Sequence, residues 1–273
     1  MIRLLIEEDR AFHFECIESI IVKYKEILGI DKTAKIHLLL HRPDESFVRY
    51  IKHKYPEIMF SRPTKYDYHI VSTTYDIHYD EIEKNVANKF YISHDVSDRM
   101  QKLSNVRFIT PLGRSFYYAD CLPFAEDKIK SDIPIYIIQG NITNERRNYN
   151  LLVDILKKEY DYDFKIKMLG KGNGLPAELI PFRDKIILKT NLDFISFHKE
   201  FIDAYALIMP TTKQSQPQYY KNKLTSNISY AKGYSLTSII DKELQDIYQL
   251  DNAYTYGDIS KAFEQSLKDF YNR

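Results

Sequence analysis

The sequence predicts an α/β protein of two tandem domains, each a parallel sheet with helices on both faces. Three observations carry this expectation. Apolar runs of strand length alternate with patterns of helical spacing along most of the chain. The run Ile36–Leu40 has the composition of a central parallel strand. Between Pro111 and Pro134 the alternation lapses into Leu122-Pro123-Phe124 and the charged stretch Glu126–Asp132, then restarts, which marks a linker near residue 125. The expected domains are 1–125 and 126–273, with the option that the last helix packs back on the first domain.

In the first half, Arg3–Ile6 reads as a strand. A helix follows from about His13 to Leu28, because Cys16, Ile17, Ile20, Ile21, Tyr24, Ile27 and Leu28 recur at helical spacing and Gly29 closes it. Pro43-Asp44 starts a second helix with Phe47, Val48 and Ile51 inward. Strands are expected at Glu57–Phe60, Tyr68–Ser72, Lys89–Ser93 and Val106–Ile109. A polar helical segment is expected at Tyr79–Asn85 and a helix at Ser97–Leu103.

The second half opens with the strand Ile135–Gln139, a turn at Gly140-Asn141, and a helix from about Asn144. That helix carries Leu151, Leu152, Ile155 and Leu156 on one face. Strand Phe164–Leu169 ends in the turn Gly170-Lys171-Gly172-Asn173-Gly174. Strand Lys185–Leu188, helix Phe194–Tyr205 and strand Ala206–Met209 follow. A polar loop, Pro210–Leu224, then precedes a short helix at Ser226–Lys232, the strand Ser235–Ile240 and the C-terminal helix Asp258–Tyr271.

Composition bounds the function. The chain has 273 residues, a formal net charge of +1, 44% hydrophobic and 28% charged residues, an ordinary globular balance. Proteins that live on nucleic acid normally carry a basic excess, so that class is disfavoured. Cys16 and Cys121 have no metal-ligand spacing and are expected as reduced thiols in a cytosolic protein. The N-terminus MIRLLIEEDR lacks an apolar signal core, and no apolar run approaches the ~20 residues of a membrane span. The expected location is cytoplasmic, at most peripheral at a membrane face.

The polar features of the second half fall at strand C-termini and helix N-termini, the edge where open α/β sheets bind ligands. Arg146 and Arg147 stand at an expected helix start, where each opposes the helix dipole by about 0.3–1 kcal/mol unless an anion compensates. Backbone N–H groups and two guanidinium forks there suit a phosphate or diphosphate. Two solvated arginines balanced by Glu145 are the competing reading. Further on, Lys221 and Lys223 precede the capping residues Thr225, Ser226 and Asn227, and Met209–Ala231 contains no acid. A merely solvated loop of that length normally mixes charges, so an anion site is favoured there.

Other motifs are weaker. The Gly170–Gly174 turn has the G-x-G start of a dinucleotide fingerprint, and Asp193 has the spacing of a ribose-binding acid. Leu175 takes the third glycine's place, so a tight strand-to-helix turn is favoured over a nicotinamide site. Asp161-Tyr162-Asp163 precedes a strand and is assigned to a turn, not to a metal motif. In the first half, His13, Asp76 and His94-Asp95 fall at the ligand edge, where such groups could take a proton from a hydroxyl. Each alone is more simply a cap, turn or loop residue; at least one is expected to be catalytic.

The layout resembles the two-domain, nucleotide-sugar-dependent glycosyltransferases of the GT-B fold, two Rossmann-like domains whose parallel sheets face across a cleft. YIIQGNITNERRNYNLLVDIL is similar to the first strand and helix of the family's donor domain, and IKMLGKGNG to its second strand and glycine turn. ALIMPTTK with KLTSNISYAKGYSLTSII is similar to its donor-binding loop and helix. The resemblance implies that Gly140, Asn141, Arg146, Arg147, Lys223, Thr225, Ser226 and Asn227 bind the donor diphosphate. It implies Gly170, Gly172 and Lys189 near the donor nucleoside, and acceptor-side catalytic groups at His13, His94 and Asp95. No cofactor and no metal are implied, the nucleotide-sugar being a substrate. The implied partners are a UDP- or GDP-linked sugar and a glycan, lipid-linked or protein-linked hydroxyl acceptor, with no nucleic acid. The paired glutamates of the family's retaining members are missing, which leaves the stereochemistry open. Trp is absent, so the 23 tyrosines are the sugar-stacking surface available. A catalytically silent nucleotide- or glycan-binding protein of the same fold is the alternative.

Overall fold

The computed structural model describes residues 1–10, 14–84, 87–113, 128–143 and 147–273. His13, Arg146, Cys121 and most of the expected linker lie outside the described residues. The chain divides into two compact units, Met1–Leu122 with Lys221–Leu224, and Pro123–Tyr220 with Thr225–Arg273.

The first unit is built on β1 (Ile2–Glu8), whose Leu4, Leu5 and Ile6 are fully buried. Helix α1 (Phe14–Leu28) buries Cys16, Ile17, Ile20 and Ile27, the face its spacing predicts. Then come β2 (Ala34–Leu40), α2 (Glu45–Lys54), β3 (Tyr68–Thr74), α3 (Tyr79–Glu83), β4 (Lys89–Ser93) and β5 (Val106–Phe108). All pairings are parallel, in the order β2-β1-β3-β4-β5. The strand order therefore reverses between β1 and β3.

Three expectations need correction here. Ile36–Leu40 lies in an edge strand, not a central one. Its outer side is part-covered by Met59, whose backbone accepts from Leu38 N at 2.8 Å and donates to Ile36 O at 3.1 Å. This cover blunts an otherwise open strand edge. Glu57–Phe60 accordingly forms a single bridge, His37 to Met59, and no strand. The helix expected at Ser97–Leu103 shrinks to a 3-10 turn, Met100–Lys102, after Ser97 turns its hydroxyl to Asp76.

The second unit runs β6 (Ile135–Gln139), α4 (Tyr149–Lys157), β7 (Lys165–Gly170), β8 (Ile186–Thr190), α5 (Phe194–Lys199), β9 (Ala206–Ile208) and α6 (Ser226–Gly233). It ends with β10 (Thr237–Asp241), α7 (Lys242–Tyr248), β11 (Ala253–Tyr256) and α8 (Ile259–Tyr271). The sheet is wholly parallel, ordered β11-β10-β9-β6-β7-β8, and reverses between β6 and β9. Tyr136 and Phe263, with ring centroids 4.5 Å apart, anchor a core that includes Ile166, Ile239 and Leu267. Helix α8 is thus a core element of the second unit.

Elements α7 and β11 were not expected. Their signal is local: Asp241 accepts from Glu243 N (3.0 Å) and Leu244 N (3.3 Å), and Leu244 and Tyr248 bury one face of a short helix. Helix α4 starts at Tyr149, after the cap Asn148, and not near Asn144. Arg147 therefore precedes the helix, and the dipole mismatch argued from sequence does not apply to it.

The glycine turns of β6 and β7 pack on each other. A Cβ at Gly170 would stand 1.8 Å from the Gly140 carbonyl oxygen, a backbone atom that cannot yield. Gly170→Ala is expected to lower stability by about 1–3 kcal/mol through overpacking, seen as a lower denaturant midpoint at unchanged slope.

Candidate functional site

In an open parallel sheet the strand order reversal leaves a crevice at the carboxyl edge, because the connections on its two sides turn away in opposite directions. In the second unit that crevice falls where β6 and β9 end. Gln139 closes β6, and its side-chain amide donates to Ser226 Oγ and Asn227 Oδ1, each at 2.9 Å. Its carbonyl accepts from Arg147 Nη2 at 2.6 Å. Arg147 is only 7% exposed, so its charge lies inside the turn and is not solvated. Gly140 makes the room: at φ +118°, its missing Cβ would lie 2.0 Å from Arg147 Nη2.

Helix α6 points its N-terminus into the same network. Thr225, the N-cap, is buried and makes no side-chain cap bond; its Oγ1 accepts from Asn227 Nδ2 at 3.3 Å. The segment after β9 is held from behind by Tyr256, whose Oη lies 2.8 Å from the Met209 carbonyl and 2.9 Å from that of Thr211. Five of the residues expected at a diphosphate site, Gly140, Arg147, Thr225, Ser226 and Asn227, are therefore linked through Gln139. Asn141 is adjacent in the chain and exposed.

The remaining expected donor-side residues sit elsewhere. The Gly172 carbonyl accepts from Asn191 Nδ2 at 3.0 Å, and its missing Cβ would stand 2.9 Å from Ile142 Cβ, so close packing accounts for that glycine. Lys189 is on β8, the edge strand, with Nζ 3.4 Å from Glu200. Asp193 caps α5, accepting from Ser196 N at 2.8 Å. Lys223 belongs to the first unit. It forms an antiparallel bridge with Asp95, and its Nζ lies 5.6 Å over the Tyr75 ring.

The carboxyl edge of the first sheet is more polar than its sequence suggests. Glu8, at the end of β1, is fully buried and accepts from Ser72 Oγ (2.8 Å), Thr73 Oγ1 (2.5 Å) and Arg10 N (2.7 Å). His94, 5% exposed, approaches the Ser72 carbonyl through Nε2 at 3.3 Å, which assigns the proton to that nitrogen. Burial pushes the Tyr75 phenol up to about 12.

Asp95 and Asp76 divide by environment. Burial raises the Asp95 carboxyl above the ordinary aspartate range, against the lowering pull of the Asp76 backbone N–H (2.9 Å) and of Lys223. Hydrogen bonds from Arg99 and Ser97 hold Asp76 below that range, and Arg99 grips both of its oxygens (3.0 and 2.8 Å). Asp76 is thereby committed to fixing its turn, while Asp95 has the basicity suited to accepting a proton.

Sequence reasoning missed Gln139, Glu8, Ser72, Thr73 and Tyr75. Gln139 carried a usable signal, a polar residue closing an all-apolar strand at a ligand edge. Glu8 carried none, since Glu7-Glu8-Asp9 looks like a solvated charge run. Among the described residues no group of three or more His, Cys, Asp or Glu has the geometry to hold a metal ion. Among them, too, no helix is long and apolar enough to cross a membrane.

No protein-family model matches the chain, and no curated protein matches its sequence. Solved structures do. The chain is similar to Anabaena HepE in complex with UDP and glucose, at TM-score 0.59 and 9% identity over 99% of this chain and 91% of that one. It is similar to AviGT4, a glycosyltransferase involved in avilamycin A biosynthesis, at 0.57 and 7% over 98% and 88%. It is also similar to a glycosyltransferase from Rickettsia africae ESF-5, at 0.55 and 12% over 99% and 88%. Identities this low speak to architecture alone. The chain has a GT-B glycosyltransferase-like fold.

Proposed function

We propose that the chain moves a sugar from a nucleotide diphosphate-sugar to a hydroxyl acceptor. The observation that carries this reading is the network at the strand-order reversal of the second sheet, where Arg147, Gly140 and the N-terminus of α6 meet through Gln139. A buried guanidinium beside a helix N-terminus is suited to a diphosphate. The likeness to HepE, whose structure holds UDP and glucose, supports a UDP-sugar as donor; a GDP-sugar is the other donor within this reading. Gly170, Gly172 and Lys189 would border the nucleoside.

The chemistry is a substitution at the anomeric carbon. The acceptor oxygen bonds to that carbon as its bond to the diphosphate oxygen breaks, and the electron pair leaves with the nucleoside diphosphate. Asp95 takes the hydroxyl proton, with His94 beside it and His13 as the further candidate base. Arg147, together with Arg146 and Lys223, meets the charge that develops on the leaving diphosphate, so the reaction proceeds without a metal. Such electrostatic stabilisation is normally the largest catalytic term. The acceptor is a glycan, lipid-linked or protein-linked hydroxyl. The protein works in the cytoplasm, at most peripheral at a membrane face, and no nucleic acid takes part.

Transfer from a UDP-sugar is expected to survive EDTA and to fall by about tenfold or more in Lys223→Ala, the scale of one charged hydrogen bond. Wild-type donor turnover in Lys223→Ala would sink its part in the diphosphate set. Calorimetric titration with UDP, GDP, ADP and CDP identifies the base. Nucleotide binding without transfer across a panel of donor sugars would make the chain a binding protein of the same fold.

A further inference from the structure

The first unit holds a cavity of about 520 Å³ beside the carboxyl end of β2. Leu38, Leu40, Pro43, Val48 and Phe60 supply its apolar walls. Concavities of this size lined by aliphatic and aromatic side chains are where small molecules bind, because removing apolar wall from water is favourable. A glycan would need an array of hydrogen-bonding groups that these walls do not offer.

The charges around the cavity are specific too. Arg49 lines it, and Lys52, one position short of a full turn further along α2, holds its Nζ 5.3 Å over the ring of Phe60. Among the described residues neither cation is in an ion pair. Glu45 is the one acid of the lining and Arg49 its one base, so the further positive charge is that of Lys52 over the Phe60 wall.

The geometry points to a binding site for an anionic amphiphile, its apolar body in the cavity and its phosphate or carboxylate between Arg49 and Lys52. Resting on the proposed transferase reading, this site names the acceptor class: an amphiphilic hydroxyl compound and not a plain glycan. The sheet order β2-β1-β3-β4 puts three strand steps between the cavity and Asp95 at the end of β4. At about 4.8 Å per step this is roughly 14 Å, so the acceptor must be elongated, with its reacting hydroxyl remote from its apolar end.

Calorimetric titration of the full chain tests the site, with n-decyl phosphate below its micelle concentration as probe. Inorganic phosphate and decyltrimethylammonium are the controls, and UDP is titrated in parallel. The wild type is expected to bind decyl phosphate at least tenfold more tightly than either control. Arg49→Glu with Lys52→Glu, and separately Val48→Phe to fill the cavity, are each expected to weaken it at least tenfold while UDP binds as before. Arg49 and Lys52 are exposed, and a thermal melt verifies that their variants fold. Undiminished decyl phosphate binding in the variants, or binding to anionic vesicles but not to the monomeric probe, overturns the site. For the acceptor role, a decyl glycoside is expected to outcompete the same sugar without its alkyl chain, and to lose that advantage in Val48→Phe. Equal use of the two by the wild type overturns the role. Failure of every nucleotide to bind overturns the transferase reading instead, and the decyl phosphate titration still decides the cavity.

Discussion

Asp95→Asn is expected to stop sugar transfer and to make the protein more stable at neutral pH. Loss of a general base normally lowers the rate by about 10²–10⁴-fold, so kcat should fall on that scale while UDP affinity, measured by calorimetry, stays within a factor of about two. The stability effect follows from the direction of the shift. Burial raises the folded-state carboxyl above the ordinary aspartate range. Asp95 therefore supports folding fully only below the ordinary value, and that support is lost as pH rises through the raised one. At neutral pH the ionised group is a burden that Asn removes. The wild-type rate should climb with pH as Asp95 deprotonates, with a midpoint above the ordinary carboxylate range, and this limb should vanish in the Asn variant. Asp76→Asn provides the opposite sign. Its carboxyl is held low by Arg99 and Ser97, so its contribution is present above the ordinary value and lost as pH falls through the depressed one. That variant should be less stable at neutral pH and gain nothing from the change. A rate loss in Asp76→Asn matching that of Asp95→Asn would reverse the assignment of the base.

Arg147→Ala is the second large effect expected. Arg147 donates to the buried carbonyl of Gln139, and removing it strips that carbonyl of a charge-assisted bond. The loss should amount to about 1–3 kcal/mol of stability. UDP affinity should fall at least tenfold in the same variant. Arg147→Lys should restore little of either, because a compact ammonium lacks the planar fork that fills the space left by Gly140. Denaturant unfolding and calorimetry separate the two contributions. Unchanged UDP binding with lost stability would make Arg147 a structural pin of the β6 turn.

Much of the architecture was legible because it rests on periodicity. The spacing of Cys16, Ile17, Ile20 and Ile27 specifies a buried helix face whatever surrounds it, and α1 follows it closely. Edge against centre was not legible, since an apolar run such as Ile36–Leu40 reports buried faces and not which backbone lies beside it, here that of Met59. Short elements such as β11 fell below the length at which pattern speaks. At the candidate site, the residue types came through better than their partners. Thr225, Ser226 and Asn227 announced a helix start. That Asn227 bonds Gln139 is a contact between residues far apart in sequence, and no local pattern encodes it. Glu8 is the clearest case of a site feature decided by tertiary structure: its burial depends on two hydroxyls delivered by β3.

The first unit is not one uninterrupted length of chain. Its last piece, Lys221–Leu224, is about 100 residues removed from the end of its main stretch at Leu122. That piece closes on the Asp95 loop, where Val96 N donates to Asn222 O at 2.8 Å. During synthesis at about 5–20 residues per second, the five-stranded sheet would wait roughly 5–20 s for this final segment to leave the ribosome. Until then Asp95 lacks the strand bridge and the lysine that help set its basicity. A nascent chain released early, or a polypeptide ending at residue 122, would carry every strand of the first sheet and still lack the finished surroundings of its candidate base. The order of synthesis thus leaves the Asp95 loop without its Lys221–Leu224 partner until most of the second unit has also been made.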